Sequence, residues 1–274
     1  MTQSPFEFDE IGVWSELKLE IVQKYGSAYT NAFKKSTGLK KYYVDGFSGA
    51  GVHRSKRTGA PIEGSPTRAL KVSPPFDGYY FIDLNPEKTD YLRSACGNRS
   101  DVYIRTGDCT EILTKELLPR IQYKHFNRAL CLLDPYGLHL DWEVMLQAGQ
   151  SGAVDLFVNF PVMDMNRNAI WKHPDKVPVG GVERMTKFWG DESWKQAAYV
   201  ESRQRGFFGT EIVKQGNEEI VAAFRERLKK VAGFGFVPEP LPMRNSIKCG
   251  GVLPVSGVSK ICSRKNHQRH LQQI

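Results

Sequence analysis

Five short apolar runs punctuate residues 41–164, and each is followed by a segment with helical spacing or by a capping residue. The runs are KYYVDGF, YYFIDL, VYIRTGD, RALCLLD and VDLFVNF. Between them lie GSPTRALKV, PEKTDYLRSAC, CTEILTKELL and DWEVMLQAG, which read as helices. Stretches such as CLL and LFV are apolar on both faces, as strands buried between two helical layers must be. Strand and helix in strict alternation predict a parallel sheet with right-handed crossovers. The fold class is therefore α/β, with a Rossmann-like sheet over 41–164.

The flanks differ from this core. Residues 1–40 form an N-terminal helical segment, in which Leu17, Ile21, Val22, Tyr25 and Tyr29 recur at three- and four-residue steps and predict a core-facing stripe. Gly26 weakens this helix and Gly38 closes the segment. Residues 165–233 read as a helical insert, carried by VERMTKFW, SWKQAAYV and NEEIVAAFRERLKKVAG. A returning strand is expected over 234–246, near GFGFV. Residues 247–274 are an atypical basic tail with almost no periodicity. A one-base shift of permissible codons turns that tail into an apolar strand and an amphipathic helix. We therefore expect a frameshift there, and DNA sequence across codons 246–252 checks it.

Composition excludes several classes. The 274 residues are 41% hydrophobic and 25% charged, ordinary for a globular chain. No run approaches the roughly 20 apolar residues of a membrane helix. The start, MTQSPFEFDE, is acidic without an apolar core, so no signal peptide is expected and a cytoplasmic location is. Five cysteines (Cys96, Cys109, Cys131, Cys249, Cys262) show neither zinc-ligand spacing nor a disulfide pattern, so reduced thiols and no metal site are expected. The net charge is +8, but five of those charges lie after Asn245, which leaves the body only mildly basic.

In an open parallel sheet ligands bind beyond the carboxyl ends of the strands. The first end reads Asp45-Gly46-Phe47-Ser48-Gly49-Ala50-Gly51. Its glycines permit a tight turn and a close backbone approach. Arg54 stands where the third glycine of a dinucleotide fingerprint would be, which argues against a plain NAD site. The second end, Asp83-Leu84-Asn85, places an acid where two ribose hydroxyls could be accepted, although Asp83 or Asn85 could equally cap the helix opened by Pro86. The third is Gly107-Asp108-Cys109, with a helix cap the equal rival for Asp108. The fourth is Asp134-Pro135-Tyr136-Gly137, which a simple turn would also explain. Asn159 closes the fifth strand as a further polar group or a cap.

The first end, Asp-x-Phe-x-Gly-x-Gly, resembles the first motif of S-adenosylmethionine (SAM) methyltransferases. Asp134-Pro135-Tyr136 resembles the Asp-Pro-Pro-Tyr motif of amino-methylating enzymes, with Tyr136 at the second proline and Gly137 in the aromatic place. The strings YYVDGFSGAG, FIDLNP, GDC, LLDPYGL, VDLFVNFPVMDMNRN, FWGDESW and PEPLPMRNS together resemble the three-Cys-motif partner protein (TcmP) family over about residues 10–246. That resemblance implies a SAM-methyltransferase-like sheet, an insert similar to a winged-helix module, and a partner bearing three cysteines that is similar to radical-SAM proteins. It also implies that Asp45, Gly46, Phe47, Gly49, Gly51, Asp83, Leu84, Asp108 and Cys109 hold SAM, and that Asp134, Pro135 and Tyr136 hold a target amino group, read here as one on a nucleic-acid base. A methyltransferase-like scaffold that keeps a nucleoside pocket without catalysis is the alternative. Cytosine-C5 methylation is excluded, since that chemistry needs a cysteine after proline and the sequence has no Pro-Cys pair. Arg54, Lys56 and Arg57 could approach a phosphate backbone or belong to a solvated loop. Phe188/Trp189 and Phe207/Phe208 could stack on bases or fill a core.

Overall fold

The architecture is that of a computed structural model, which describes residues 7–206 and 209–241. In chain order the elements are β1 (Glu10–Ile11), α1 (Val13–Ala32), β2 (Lys40–Asp45), β3 (Val52–Ser55), β4 (Pro61–Glu63), α2 (Ser65–Ala69), β5 (Gly78–Asp83), α3 (Pro86–Cys96), β6 (Val102–Thr106), α4 (Cys109–Ile112), β7 (Asn127–Leu133), α5 (Trp142–Ser151), β8 (Val154–Val158), α6 (Val162–Asn168), α7 (Val179–Trp189), α8 (Trp194–Ala198), β9 (Tyr199–Gly206), β10 (Gly209–Lys214) and α9 (Asn217–Lys230).

The five expected strands form one parallel sheet in the order β6-β5-β2-β7-β8. Counted along the chain within this sheet, the order is 3-2-1-4-5, the doubly wound arrangement. The switch point lies at β2, whose Val44 pairs Tyr80 of β5 on one side and Cys131 of β7 on the other. Alternation explains the two cores. Tyr43, Tyr79, Phe81, Leu130 and Leu132 face α1 and α2. Val44, Ile82, Cys131 and Leu133 face α4, α5 and the insert. Both faces of β7 and β8 are covered, which is why these strands read as nearly unbroken apolar runs, while the edge strand β6 is largely exposed.

α1 buries Val22, Tyr25 and Tyr29 of its expected stripe, but Leu17 is exposed. Gly26 does not interrupt it. An added Cβ there would meet Val72 Cγ2 at 3.2 Å, so the glycine lets α1 lie close to the core. α3 begins where the sequence predicts, with the Asn85 side chain accepting from the N–H groups of Glu87 and Lys88 and Pro86 in the first turn.

Three findings differ from the sequence reading. Residues 53–66 are not a plain loop: β3 and β4 pair antiparallel, and β1 pairs β3 in parallel. These strands are two to four residues long and largely polar, and their pairing depends on Asp9–Ile11 some forty residues away. The insert is not wholly helical. Tyr199–Val200, expected in a helix, begin the antiparallel hairpin β9–β10, in which Val200 pairs Val213. Aromatic and β-branched residues at those positions favour the pleated surface. Finally, residues 234–241 form no strand, and the rest of the expected returning strand lies outside the described residues. So do the tail 247–274 and the pair Phe207/Phe208. Phe188 and Trp189 are core residues, packed with Phe160 and Phe224.

Candidate functional site

The strand order places Asp108, Asp83, Asp45, Asp134 and Asn159 side by side along one edge of the sheet, each at or just beyond the carboxyl end of its strand. The turn after β2 is pinned from several sides. Gly46 N–H donates to Leu132 O at 3.0 Å, and Ser48 N–H to Ile82 O at 2.9 Å. An added Cβ on Gly46 would stand 2.6 Å from Cys109 Sγ and 2.7 Å from Leu133 Cδ2. Gly49 and Gly51 have φ of 60° and 77°, in the left-handed region that glycine tolerates.

Asp83 joins this turn to the next strand. Its Oδ2 accepts from Gly49 N–H at 2.8 Å and its Oδ1 from Asn85 N–H at 2.8 Å. It does not cap α3; Asn85 does. Asp108 does cap α4, accepting from Glu111 N–H at 2.9 Å, and is otherwise exposed. Cys109 is a buried core residue under Gly46, and burial holds its thiol pKa well above the ordinary value. Its part in the site is to shape the turn from below. Leu84 is exposed at the rim.

Three buried polar atoms near the turn lack a hydrogen-bond partner: Asp45 Oδ2, Ser48 Oγ and His53 Nδ1. Asp45 is 1% exposed, and its Oδ1 accepts from Phe47 N–H at 3.2 Å. Burial pushes its pKa up to about 7 against the pull of the Ser65 hydroxyl and the Phe47 N–H, with Asp134 and Asp83 adding to the rise. Burial lowers the pKa of His53, favouring the neutral ring. Unmet buried polar atoms are costly and rare, and a cluster of them at one turn marks a place for a polar ligand.

Beside the turn lies a cleft of about 460 Å³ lined by Phe47, His53, Ser65, Asp134, Tyr136 and Asn159, among others. Pro135, Leu132 and Leu133 also line it, next to Asp134. Asp134 is fully engaged: Asn159 Nδ2 donates to Oδ1 at 2.7 Å and Lys18 Nζ to Oδ2 at 2.5 Å. Asn159 is thus a partner of the acid rather than a helix cap. The Tyr136 ring is exposed, with Lys88 Nζ 5.9 Å from its centroid, and its hydroxyl donates to Asp9 Oδ2 at 3.3 Å. Lys88 Nζ donates to the same Asp9 oxygen at 2.6 Å. Lys18, His53 and Asp9 were not singled out from the sequence for this site. A helical stripe does not reveal which polar residue on its flank will reach a strand end 116 positions away. Arg54, Lys56 and Arg57 are exposed on or beside β3. Among the described residues no group of His, Cys, Asp and Glu has the makings of a metal site.

No protein-family model and no curated protein matches the sequence. Among solved structures, the chain is similar to a Legionella pneumophila str. Philadelphia 1 protein carrying the DUF519 family model, at 14% identity and a TM-score of 0.42 over 79% of this chain and 93% of that one. It is also similar to the N-methyltransferase NodS from Bradyrhizobium japonicum WM9, at 10% identity and a TM-score of 0.32 over 72% and 94%. A third is a Methanococcus maripaludis protein assigned as an S-adenosyl-L-methionine-dependent methyltransferase, at 12% identity and a TM-score of 0.35 over 96% and 100%. The doubly wound assignment stands on the strand order and pairing themselves. No helix among the described residues is long and apolar enough to cross a membrane.

Proposed function

We propose that this chain is a SAM-dependent methyltransferase that modifies an amino group, on a nucleic-acid base, together with a three-Cys-motif partner protein. The observation that carries the reading is the buried, half-unpartnered carboxylate of Asp45 at the glycine turn. A carboxylate removed from water without a cation beside it is unstable unless a ligand brings the complement. SAM has an ammonium group for Asp45, two ribose hydroxyls for Asp83, and further polar atoms for Ser48 and His53. The residues fit the group in number and kind. Gly46, Gly49 and Gly51 let the backbone pack and turn tightly beside it, and Phe47 supplies an apolar wall. Asp108 stands at the next strand end, within the same row.

Bound there, SAM supplies an electrophilic methyl on a sulfonium. The protein's own part is orientation, which is the larger share of catalysis in a displacement of this type. Asp134 accepts an N–H of the target amine and points its lone pair inward, Asn159 fixes the carboxylate, and the exposed Tyr136 ring offers a stacking face. The test is transfer of labelled methyl from SAM to total DNA or RNA, with and without the partner. We expect label in the nucleic acid with the wild type, and a loss of at least 100-fold in Asp134→Ala, an orienting contact being worth about that much.

One observation favours the scaffold reading. Both oxygens of Asp134 are already taken within the chain. Bound SAM with no label in any nucleic acid, partner present, would establish that alternative.

A further inference from the structure

Lys18 sits in the cleft in an unusual position. It projects from α1 across the carboxyl end of β7, and its side chain is 16% exposed while that of its partner Asp134 is 38% exposed. The acid is therefore more open to solvent than the cation it holds. The cleft wall sets Leu19, Val22, Leu132 and Phe157 beside the polar Ser15, His53 and Ser65. On the other side of the carboxylate, Asn159 donates to Oδ1 and fixes its plane. The result is an oriented carboxylate in the cleft, with Asn159 on one oxygen and a primary ammonium seated on the other.

The same N-terminal segment touches the motif twice. Asp9 accepts from the Tyr136 hydroxyl and from Lys88. Glu16 accepts from Ser55 Oγ at 2.9 Å, and β1 lies along β3. Residues 9–18 thus lie over Asp134 and Tyr136 by polar contacts, while the apolar docking of α1 starts further along, at Val22, Tyr25 and Tyr29. Polar contacts of this kind exchange with ligand groups more readily than a packed apolar stripe does.

We infer that Asp134 and Asn159 form a subsite for a primary ammonium or amine, that Lys18 Nζ is its built-in occupant, and that an acceptor reaches Asp134 only by displacing Lys18. The subsite stands on the geometry alone; its use by a methyl acceptor rests on the function proposed above. The chemistry favours cationic donors of two or more N–H bonds over hydroxyls, because hydrogen bonds from a cation to a carboxylate are shorter and stronger than neutral ones.

The experiment uses the full chain and n-propylammonium chloride, which replaces the atoms removed in Lys18→Ala. Thermal unfolding is followed against ammonium concentration, with sodium chloride at equal ionic strength as the reference. We expect a saturable rise in Tm for Lys18→Ala, at least tenfold weaker apparent affinity in the wild type, and no saturable rise in Lys18→Ala/Asp134→Asn. Equal affinity in the wild type and Lys18→Ala, or an equal response to n-propanol, would overturn the inference. A second measurement needs no folded variant. In the wild type, acetylation followed by peptide mass spectrometry should label Lys18 at least tenfold more slowly than Lys24, whose side chain is exposed; equal rates would overturn it. Calorimetry with SAM is run alongside. Ammonium binding without SAM binding removes the cofactor reading and leaves the subsite, and the reverse removes the subsite alone.

Discussion

Replacing Asp45 with Asn should stabilise the ligand-free protein at pH 8 and weaken its binding of SAM at the same time. The sign follows from the raised pKa. An acid whose folded pKa lies near 7, against 3.8 ordinarily, contributes stability that is fully present below about 3.8 and is lost as pH rises through about 7. At pH 8 the folded chain carries the whole penalty, and about 3 units at about 1.4 kcal/mol each set a ceiling near 4 kcal/mol. Asn leaves an amide to satisfy in the same place, so we expect a net gain of about 1–3 kcal/mol, or a Tm higher by roughly 2–10 °C for a chain of this size. The gain should shrink steadily as pH falls below 7 and approach zero only near pH 4 and below, where Asp45 is protonated in both the folded and the unfolded chain. Asp155, whose pKa burial also pushes to about 7, is present in both proteins and cancels in the difference. His53 works in the opposite direction: it is held neutral, and its contribution falls as pH drops below 6.5, again equally in both. Thermal unfolding of the two proteins from pH 4 to 8 checks this. A lower Tm for Asp45→Asn at pH 8 would show that the carboxylate is a structural partner rather than a group held for a ligand.

The second large effect concerns two adjacent glycines in α7. An added Cβ at Gly181 would stand 1.9 Å from Asn168 O and 3.0 Å from Asn168 C. The obstacle is main chain, which cannot turn aside as a side-chain tip can. Gly181→Ala should therefore cost about 3 kcal/mol by forcing α7 away from the end of α6. Gly180 has nothing within 4 Å of an added Cβ. Gly180→Ala should be neutral or stabilise by up to about 1 kcal/mol, since alanine is the better helix former. Denaturant unfolding of the two variants tests the pair. Equal stabilities would mean that the close approach of α7 to α6 is absent in solution.

The parts of this molecule that the sequence made legible are those held by local patterns. The central strands β2, β5 and β7 and the strand β8 are largely apolar on both faces because both are covered, and that burial is visible as runs such as ALCLL, whereas the edge strand β6 keeps Tyr103 and Arg105 exposed. α3 could be bounded closely because Asn85, Pro86 and Gly97 each carry a local backbone reason. The row of polar residues at the strand ends followed from the topology, since a parallel sheet must gather its carboxyl ends on one edge. What stayed hidden depends on distant pairs. β1 and β3 are short, polar strands that make sense only once they are paired. The hairpin β9–β10 was masked by a helical pattern continuing into Tyr199 and Val200. Lys18 lies next to an apolar stripe, and nothing local marks it as a partner of Asp134. Asp108 and Cys109 show how one strand end can serve more than one purpose. Both stand at the third strand end, where the acid caps α4 and the thiol packs beneath Gly46, two local roles that the sequence shows only in part.

Titration calorimetry of SAM into the folded full-length chain tests the central claim most directly, with Asp83→Ala and Asp45→Asn in parallel. The account predicts one binding event per chain in the wild type and at least tenfold weaker binding, about 1.4 kcal/mol or more, in each variant. A wild type that shows a cooperative unfolding transition but no heat of binding, or variants that bind as tightly as the wild type, would contradict it.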